Sequence, residues 1–386
     1  MANAVCLRDL EVFAKRHQTK WVRDFYAGGA NSEQTLSDNV DAFKRIRLCP
    51  QMLKDVSDIE LSTTLLGEKI SFPVAIAPTG MQRLAHPQGE VATAKAAASM
   101  ETAMILSTWS STSLEEVASA APSCLRWFQL YILKDRGLVA SLVKRAEKAG
   151  YKALVLTVDV PVVGLRLSDL RNSFQVHNRI RFYFYFFSFL LSFCSAKIIS
   201  SNSAVDDLEK VNKSSDEGTH RYGPVVPSPE VTWKDIKWLK EMTSLPVILK
   251  GILTAEDAKM AVKSGVAGII VSNHGGRQLD GVLASIDALP EVVEAVKGSE
   301  VEVYLDGGVR QGTDVLKALA LGARAVFVGR PALWGLTCKG EEGVHLMLEI
   351  LKREFSVAMA LSGCTSAKDV PQSIVRHVPT QTSAKL

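Results

Sequence analysis

A rhythm that begins at residue 73 constrains this chain more than any other feature. Short apolar runs, with the length and β-branching of buried parallel strands, occupy residues 74–77, 104–106, 127–130, 153–158, 247–249, 268–271, 303–305 and 325–328. Between them, residues 90–100, 138–149, 255–264, 286–296 and 313–321 carry Ala, Lys and Glu at helical spacing. Eight strands alternating with helices predict a parallel sheet with right-handed crossovers, and eight is the number that closes a (β/α)8 TIM barrel. An open doubly wound α/β sheet is the alternative. It would ordinarily begin with a glycine-rich dinucleotide turn after its first strand, and none is present. A chain of 386 residues suits one such barrel with insertions, here spanning 73–363. Residues 1–70 read as an N-terminal helical cap. It has helical spacing over 7–20, a break at Tyr26-Ala27-Gly28-Gly29-Ala30, and a helix starting at Ser32 or Ser37 that leads to Phe43. Residues 364–386 read as a tail.

Polar side chains fall where such a barrel needs them. Active sites of this architecture are built from strand C-terminal ends and the loops after them. At those ends stand Pro78-Thr79-Gly80, Ser107-Thr108-Trp109, Gln129 with Tyr131, Thr157 with Asp159, and Lys250-Gly251. Ser272-Asn273-His274-Gly275-Gly276-Arg277, Asp306-Gly307-Gly308-Val309-Arg310 and Gly329-Arg330 complete the set. The stretch from Ser272 to Arg277 is the densest. A His takes a proton near neutral pH, and an Arg three residues on can fork onto a carboxylate, a pairing suited to chemistry at the carbon beside a carboxylate. An ordinary turn with a structural His and a solvated Arg fits the spacing equally well. Glycine and Arg after the seventh and eighth strands match the usual phosphate position of the fold, with solvated arginines as the alternative.

Composition narrows the function classes. Hydrophobic residues make up 47% and charged residues 22%, enough for a large core and too apolar for global disorder. A net charge of +4 on this length makes no case for nucleic acid. The six cysteines (Cys6, Cys49, Cys124, Cys194, Cys338 and Cys364) lie far apart with no CxxC pair, as expected of free thiols in a reducing compartment rather than of a zinc site. The first nine residues lack the apolar core of a secretory signal. The ending Ala384-Lys385-Leu386 is close to the peroxisomal Ser-Lys-Leu address.

The run Ser-Asn-His-Gly-Gly-Arg-Gln-Leu-Asp from Ser272, with Leu305-Asp306-Gly307-Gly308-Val309-Arg310 and Gly329-Arg330-Pro331, resembles the FMN-dependent α-hydroxy-acid oxidase family. The resemblance covers about 7–363 apart from a stretch near 175–225, and is strongest to the peroxisomal members that oxidise glycolate. It implies that His274 is the base toward an L-2-hydroxy acid, with Asp159 hydrogen-bonded behind it; whether the proton leaves carbon or oxygen first stays open. Arg277 would bind the substrate carboxylate, helped by Arg166 and the Tyr26 hydroxyl, and Tyr131 would bond the reacting oxygen. Trp109 would roof the substrate side chain, or merely pack a loop. On the cofactor side, Lys250 would face N1 and O2 of FMN. Pro78, Thr79 and Gly80 would bring backbone against the flavin ring, while Ser107, Gln129, Thr157 and Ser272 would supply hydrogen bonds to it. Asp306 would bind the ribityl hydroxyls. Gly307, Gly308, Val309, Arg310, Gly329 and Arg330 form the turns that would hold the phosphate. The resemblance also implies dioxygen as electron acceptor, a tetramer, and a peroxisomal import receptor that reads Ala384-Lys385-Leu386, with no nucleic-acid or membrane partner.

Two departures stand out. Leu165 precedes Arg166 where the family usually has Asn. Residues 178–201, within the long lid insertion expected after the fourth strand, contain an aromatic run over 182–193 without helical or strand alternation. The run is too short and too closely flanked by Arg181 and Lys197 for a membrane span, and reads as translated intron or a gene-model error. The functions in view are an oxidase of short L-2-hydroxy acids, a dehydrogenase on the same barrel with another acceptor or longer substrates, and a non-catalytic flavin-binding form with a disrupted lid.

Overall fold

The computed structural model describes residues 4–172 and 227–378. Helices α1 (Leu7–His17), α2 (Lys20–Ala27) and α3 (Gln34–Arg45) come first, followed by strands β1 (Ile46–Leu48), β2 (Thr63–Leu65) and β3 (Glu68–Ile70). The repeating part then runs β4 (Val74–Ile76), α4 (Gly89–Ser99), β5 (Ala103–Leu106), α5 (Leu114–Ala120), β6 (Leu125–Leu130), α6 (Arg136–Lys148), β7 (Leu154–Thr157) and α7 (Leu167–Arg171). From residue 233 it continues through α8 (Trp233–Met242), β8 (Val247–Ile252), α9 (Ala255–Lys263), β9 (Gly268–Val271), α10 (Ser285–Ala295), β10 (Glu302–Asp306), α11 (Gly312–Ala320), β11 (Ala325–Val328) and α12 (Arg330–Ser362), and ends with β12 (Val375–His377).

Strands β4 to β11 close in chain order into an eight-stranded parallel barrel, with β11 pairing back onto β4. Each expected apolar run is one of these strands, so the doubly wound alternative is excluded. Alternation splits the side chains into two packed layers. Ala75, Ile105, Trp127, Val155, Ile248, Ile270, Tyr304 and Phe327 fill the barrel interior, where Trp127, Tyr304 and Phe327 meet with ring centroids 5.6 to 5.7 Å apart. Leu106, Leu130, Leu156, Leu249 and Val271 point outward to the helices.

The N-terminal segment departs from expectation in three places. Helical spacing over 7–20 resolves into α1 and α2, because Gln18 is extended (φ −71°, ψ 142°) and its amide Nε2 donates to Thr337 Oγ1 at 2.7 Å. Helix α3 begins at Gln34 rather than at Ser32 or Ser37, and its first N–H groups are met from outside by Asp280. That carboxylate accepts from Ser32 N, Gln34 N and Thr35 N at 2.8 to 3.4 Å. The β2–β3 hairpin sits at the other end of the barrel, packing Leu65 and Ile70 into its interior. Beyond residue 363 the chain returns as β12, antiparallel to β1. The run at 178–201 and Ala384-Lys385-Leu386 lie outside the described residues.

Candidate active site

The C-terminal ends of the barrel strands surround a cavity of about 220 Å³. Every residue given a substrate or cofactor role in the sequence analysis lines it except Asp159 and Ser272, which contact lining residues from behind. Its centre is the turn after β9. His274 holds a left-handed φ of +59°, and its N–H donates to Ser272 Oγ at 3.0 Å. This conformation is sparsely populated for a residue with a side chain. His274 Nδ1 lies 2.9 Å from Asp159 Oδ1. With Nδ1–H donated to that carboxylate, Nε2 keeps the lone pair. Burial pushes the His274 imidazole below its ordinary value, with Asp159 opposing and Lys250 reinforcing, so the ring rests neutral at pH 7. Burial raises the Asp159 carboxyl, but His274 and Lys250 outweigh it and hold the group below its usual range. A neutral imidazole backed by a carboxylate is equipped to take a proton.

Around this pair stand an acid-stable donor and two guanidinium groups. Tyr131 is almost fully buried, and burial together with the Asp159 charge pushes its phenol far up, so it keeps its proton. Arg277 donates from Nη1 to the carbonyls of Phe25 and Gly28, at 2.8 and 2.7 Å, and lies over the Phe25 ring. Arg166 is held loosely, 3.5 Å from Asp169 Oδ2 and 3.4 Å from the Arg277 carbonyl. The Tyr26 hydroxyl donates to the Met81 carbonyl at 2.7 Å, so in this arrangement its proton is committed to protein. Trp109 is half-buried and lines the cavity, and its backbone N–H donates to Ser107 Oγ.

A second polar group lies deeper. Lys250, 3% exposed, reaches Ser272 Oγ at 2.9 Å and Asp306 Oδ2 at 3.2 Å. Asp306 Oδ1 is buried without a partner among the described residues. Gln129 accepts from Thr108 N and donates to Thr157 Oγ1 at 3.1 Å, which joins β6 to β7. Thr79 Oγ1 accepts from Gln82.

The turns after β10 and β11 bring two half-buried cations together. Burial lowers the Arg310 guanidinium, and burial together with Arg310 pushes Arg330 down to about 9. Among the described residues neither pairs with a carboxylate. Arg330 donates instead to the carbonyls of Tyr26, Ala27, Gly28 and Gly275, gripping the last turn of α2, and Arg310 lies over Trp334. Gly308 (φ +82°) is required here for a second reason: a Cβ would stand 1.8 Å from the Asn39 carbonyl of α3.

Sequence reading passed over the residues that hold these loops. Asn39 and Asn273 exchange amide hydrogen bonds of 2.8 Å in both directions, tying α3 to the His274 turn. Gln278 donates to the carbonyls of Asp159 and Val162 and accepts from Gly164 N. Buried Glu90 accepts from Gln82 N, Ser111 N and Thr112 Oγ1, joining the loops after β4 and β5. Gln278 falls within the quoted motif, whereas nothing local marks Asn39 or Glu90, whose partners are distant in sequence.

The sequence matches the family model described as FMN-dependent dehydrogenase over residues 14–377. It is 51% identical over 375 residues to 2-hydroxyacid oxidase 1 of Homo sapiens, covering 97% of each chain. It is 49% identical over 367 residues to glycolate oxidase of Spinacia oleracea, covering 95% of this chain and 94% of that one. A solved structure of mandelate oxidase with benzoyl-formic acid matches with a TM-score of 0.81 and 40% identity, over 97% of this chain and 98% of that one.

Proposed function

The chain belongs to the FMN-dependent dehydrogenase family, and from that premise we propose that it oxidises short L-2-hydroxy acids such as glycolate and lactate, with dioxygen as acceptor. The observation that carries the reading is the His274–Asp159 pair beside Tyr131, Arg166 and Arg277 in one cavity. The products are a 2-oxo acid and hydrogen peroxide.

The residues fit FMN. Asp306 presents a buried oxygen without a partner among the described residues, matched to a sugar-alcohol hydroxyl. Arg310 and Arg330 form a half-buried pair of positive charges with no ion-pair partner among the described residues, matched to a phosphate. FMN, when bound, supplies the two-electron acceptor for the hydroxy acid. Lys250 places its ammonium on the floor of the cavity, where it favours negative charge developing nearby. Pro78, Thr79 and Gly80 line one wall, and Ser107, Gln129 and Thr157 offer hydrogen-bonding groups beside them.

On the substrate side, Arg277 and Arg166 bind the carboxylate and fix which face of the carbon meets His274. His274 Nε2 takes a proton from the hydroxy acid. Asp159 stabilises the imidazolium that forms, and neutral Tyr131 donates to the substrate oxygen. Catalysis needs the neutral imidazole, so activity is present above the lowered His274 value and is lost as pH falls through it. Trp109 in the cavity lining limits the side chain, which favours short acids. The ending Ala384-Lys385-Leu386 addresses the protein to the peroxisome, and we place it there as a homotetramer.

Release of hydrogen peroxide with glycolate, stoichiometric with the 2-oxo acid, tests the reading. Oxidation of glycolate that proceeds only with an added quinone or cytochrome would replace the oxidase by a dehydrogenase. FMN binding without oxidation of any 2-hydroxy acid would leave a non-catalytic form.

A further inference from the structure

The pairing of β8 with β9 shifts by one residue between Lys250 and Ile252. The residue between them is Gly251, at φ +115°. A strand irregularity of this kind re-aims side chains beside an active site. Ile248 packs inside the barrel, whereas Ile252, four residues on, packs outside it. Lys250 keeps its inward direction toward Ser272 and Asp306.

The space beside Gly251 is not empty. Val158 N donates to the Lys250 carbonyl at 2.9 Å, which lays the chain entering Asp159 along Gly251. A Cβ on residue 251 would stand 2.6 Å from Asp159 Cβ and 2.7 Å from its Cγ, distances that real side chains do not tolerate. The volume a side chain would take is therefore the volume the Asp159 carboxylate fills, while its Oδ1 meets His274 Nδ1 at 2.9 Å.

We propose that Gly251 is a positioning residue for the His274–Asp159 pair: the shifted strand removes a side chain at that point so that the carboxylate can lie against bare backbone and reach the imidazole. The inference rests on the roles given above to His274 and Asp159. It assigns Gly251 no contact with substrate. Any side chain at 251 drives the carboxylate away from Nδ1.

A double-mutant cycle in the FMN-loaded protein tests this, using Gly251→Ala, Asp159→Asn and the two combined. Asp159→Asn should lower kcat by about a hundredfold or more, since it removes the carboxylate that stabilises the imidazolium. Gly251→Ala should fall by a similar factor with little change in KM or bound FMN. In both, the acid limb of the pH–kcat profile and the His274 Cε1–H NMR titration should move to lower pH, because the carboxylate that raises the imidazole has gone. The combined variant should be no slower than Asp159→Asn alone. Multiplying losses in the combined variant, or a wild-type acid limb in Gly251→Ala, would overturn the proposal. Normal turnover in Asp159→Asn would remove the role given to Asp159, and the proposal with it. If Gly251→Ala does not fold, Asp159→Gly with Gly251→Ala decides: recovery of a folded, FMN-binding protein supports the steric account, and failure to recover overturns it.

Discussion

The two ends of the barrel treat a sheltered carboxylate differently. At the strand N-terminal end, Glu302 is provided for locally: Tyr304 donates to Oε2 at 2.6 Å and Leu66 N at 3.2 Å, beneath the β2–β3 hairpin. At the C-terminal end, Asp159 and Asp306 each keep one buried oxygen without a partner among the described residues, and neither Arg310 nor Arg330 forms an ion pair there. The N-terminal end leaves Ser62 Oγ, Thr63 Oγ1 and Arg126 Nε without partners, but the partnerless buried carboxylate oxygens among the described residues all lie toward the C-terminal end. Since such an atom left alone costs about 1–3 kcal/mol, it is this end that a ligand can complete. The contrast separates the residues that hold the fold from those that wait for a ligand.

The sharpest way to break that contrast is at its centre. His274→Gln should leave FMN bound and the fold intact while lowering kcat by about 10² to 10⁴, the usual loss for a positioned base. Near-normal turnover, measured as peroxide release, would move the base elsewhere. Lys250→Met should act on binding and stability together. It leaves Asp306 charged, buried and unmatched, a change that costs about 3–5 kcal/mol, and FMN release measured by fluorescence should rise with it. Retention of both FMN affinity and melting temperature would show that Asp306 does not depend on the ammonium.

At the other end, Glu302→Ala should lower stability by about 1–3 kcal/mol in denaturant titration, with kcat per folded molecule unchanged. A fall in kcat there would dissolve the division between the ends. The smallest effect belongs to Asp280. Partial burial raises its carboxyl, but the Thr35 and Gln34 N–H groups and the Ser32 hydroxyl bring it down to about 2. A lowered carboxylate contributes stability above its unfolded value of about 3.9, and that contribution is lost as pH falls toward the folded value of about 2. Asp280→Ala should cost about 0.5–2 kcal/mol, as for a lost helix cap, and should flatten the acid limb of stability in that window. An unchanged melting curve at pH 3 and pH 7 would remove the capping role.

Much of the molecule was legible in the sequence because its chemistry is local. Strands buried on both faces are continuous apolar runs, so β4 to β11 could be read directly, and strand order supplied the mouth of the barrel with His274, Lys250 and Arg310 already in it. What escaped depends on distant partners. The start of α3 is set by Asp280, and the three-residue strands β1 and β12 exist only because they find each other. Side-chain commitments escaped as well: composition cannot say that the Tyr26 proton goes to Met81, or that Arg330 holds four carbonyls.

The β1–β12 pairing has a consequence for synthesis. Ile46 is opposite His377 and Leu48 opposite Val375, so the early strand has no partner until nearly all of the described chain has left the ribosome. Helix α1 waits in the same way, because it packs on α12. The barrel can close during translation, and α2 and α3 can fasten to Asn273, Asp280 and Arg330 as it does, but β1 cannot be latched until residues 375–377 arrive. A ribosome stalled just short of residue 375 would therefore hold a nearly finished barrel whose first strand remains unlatched.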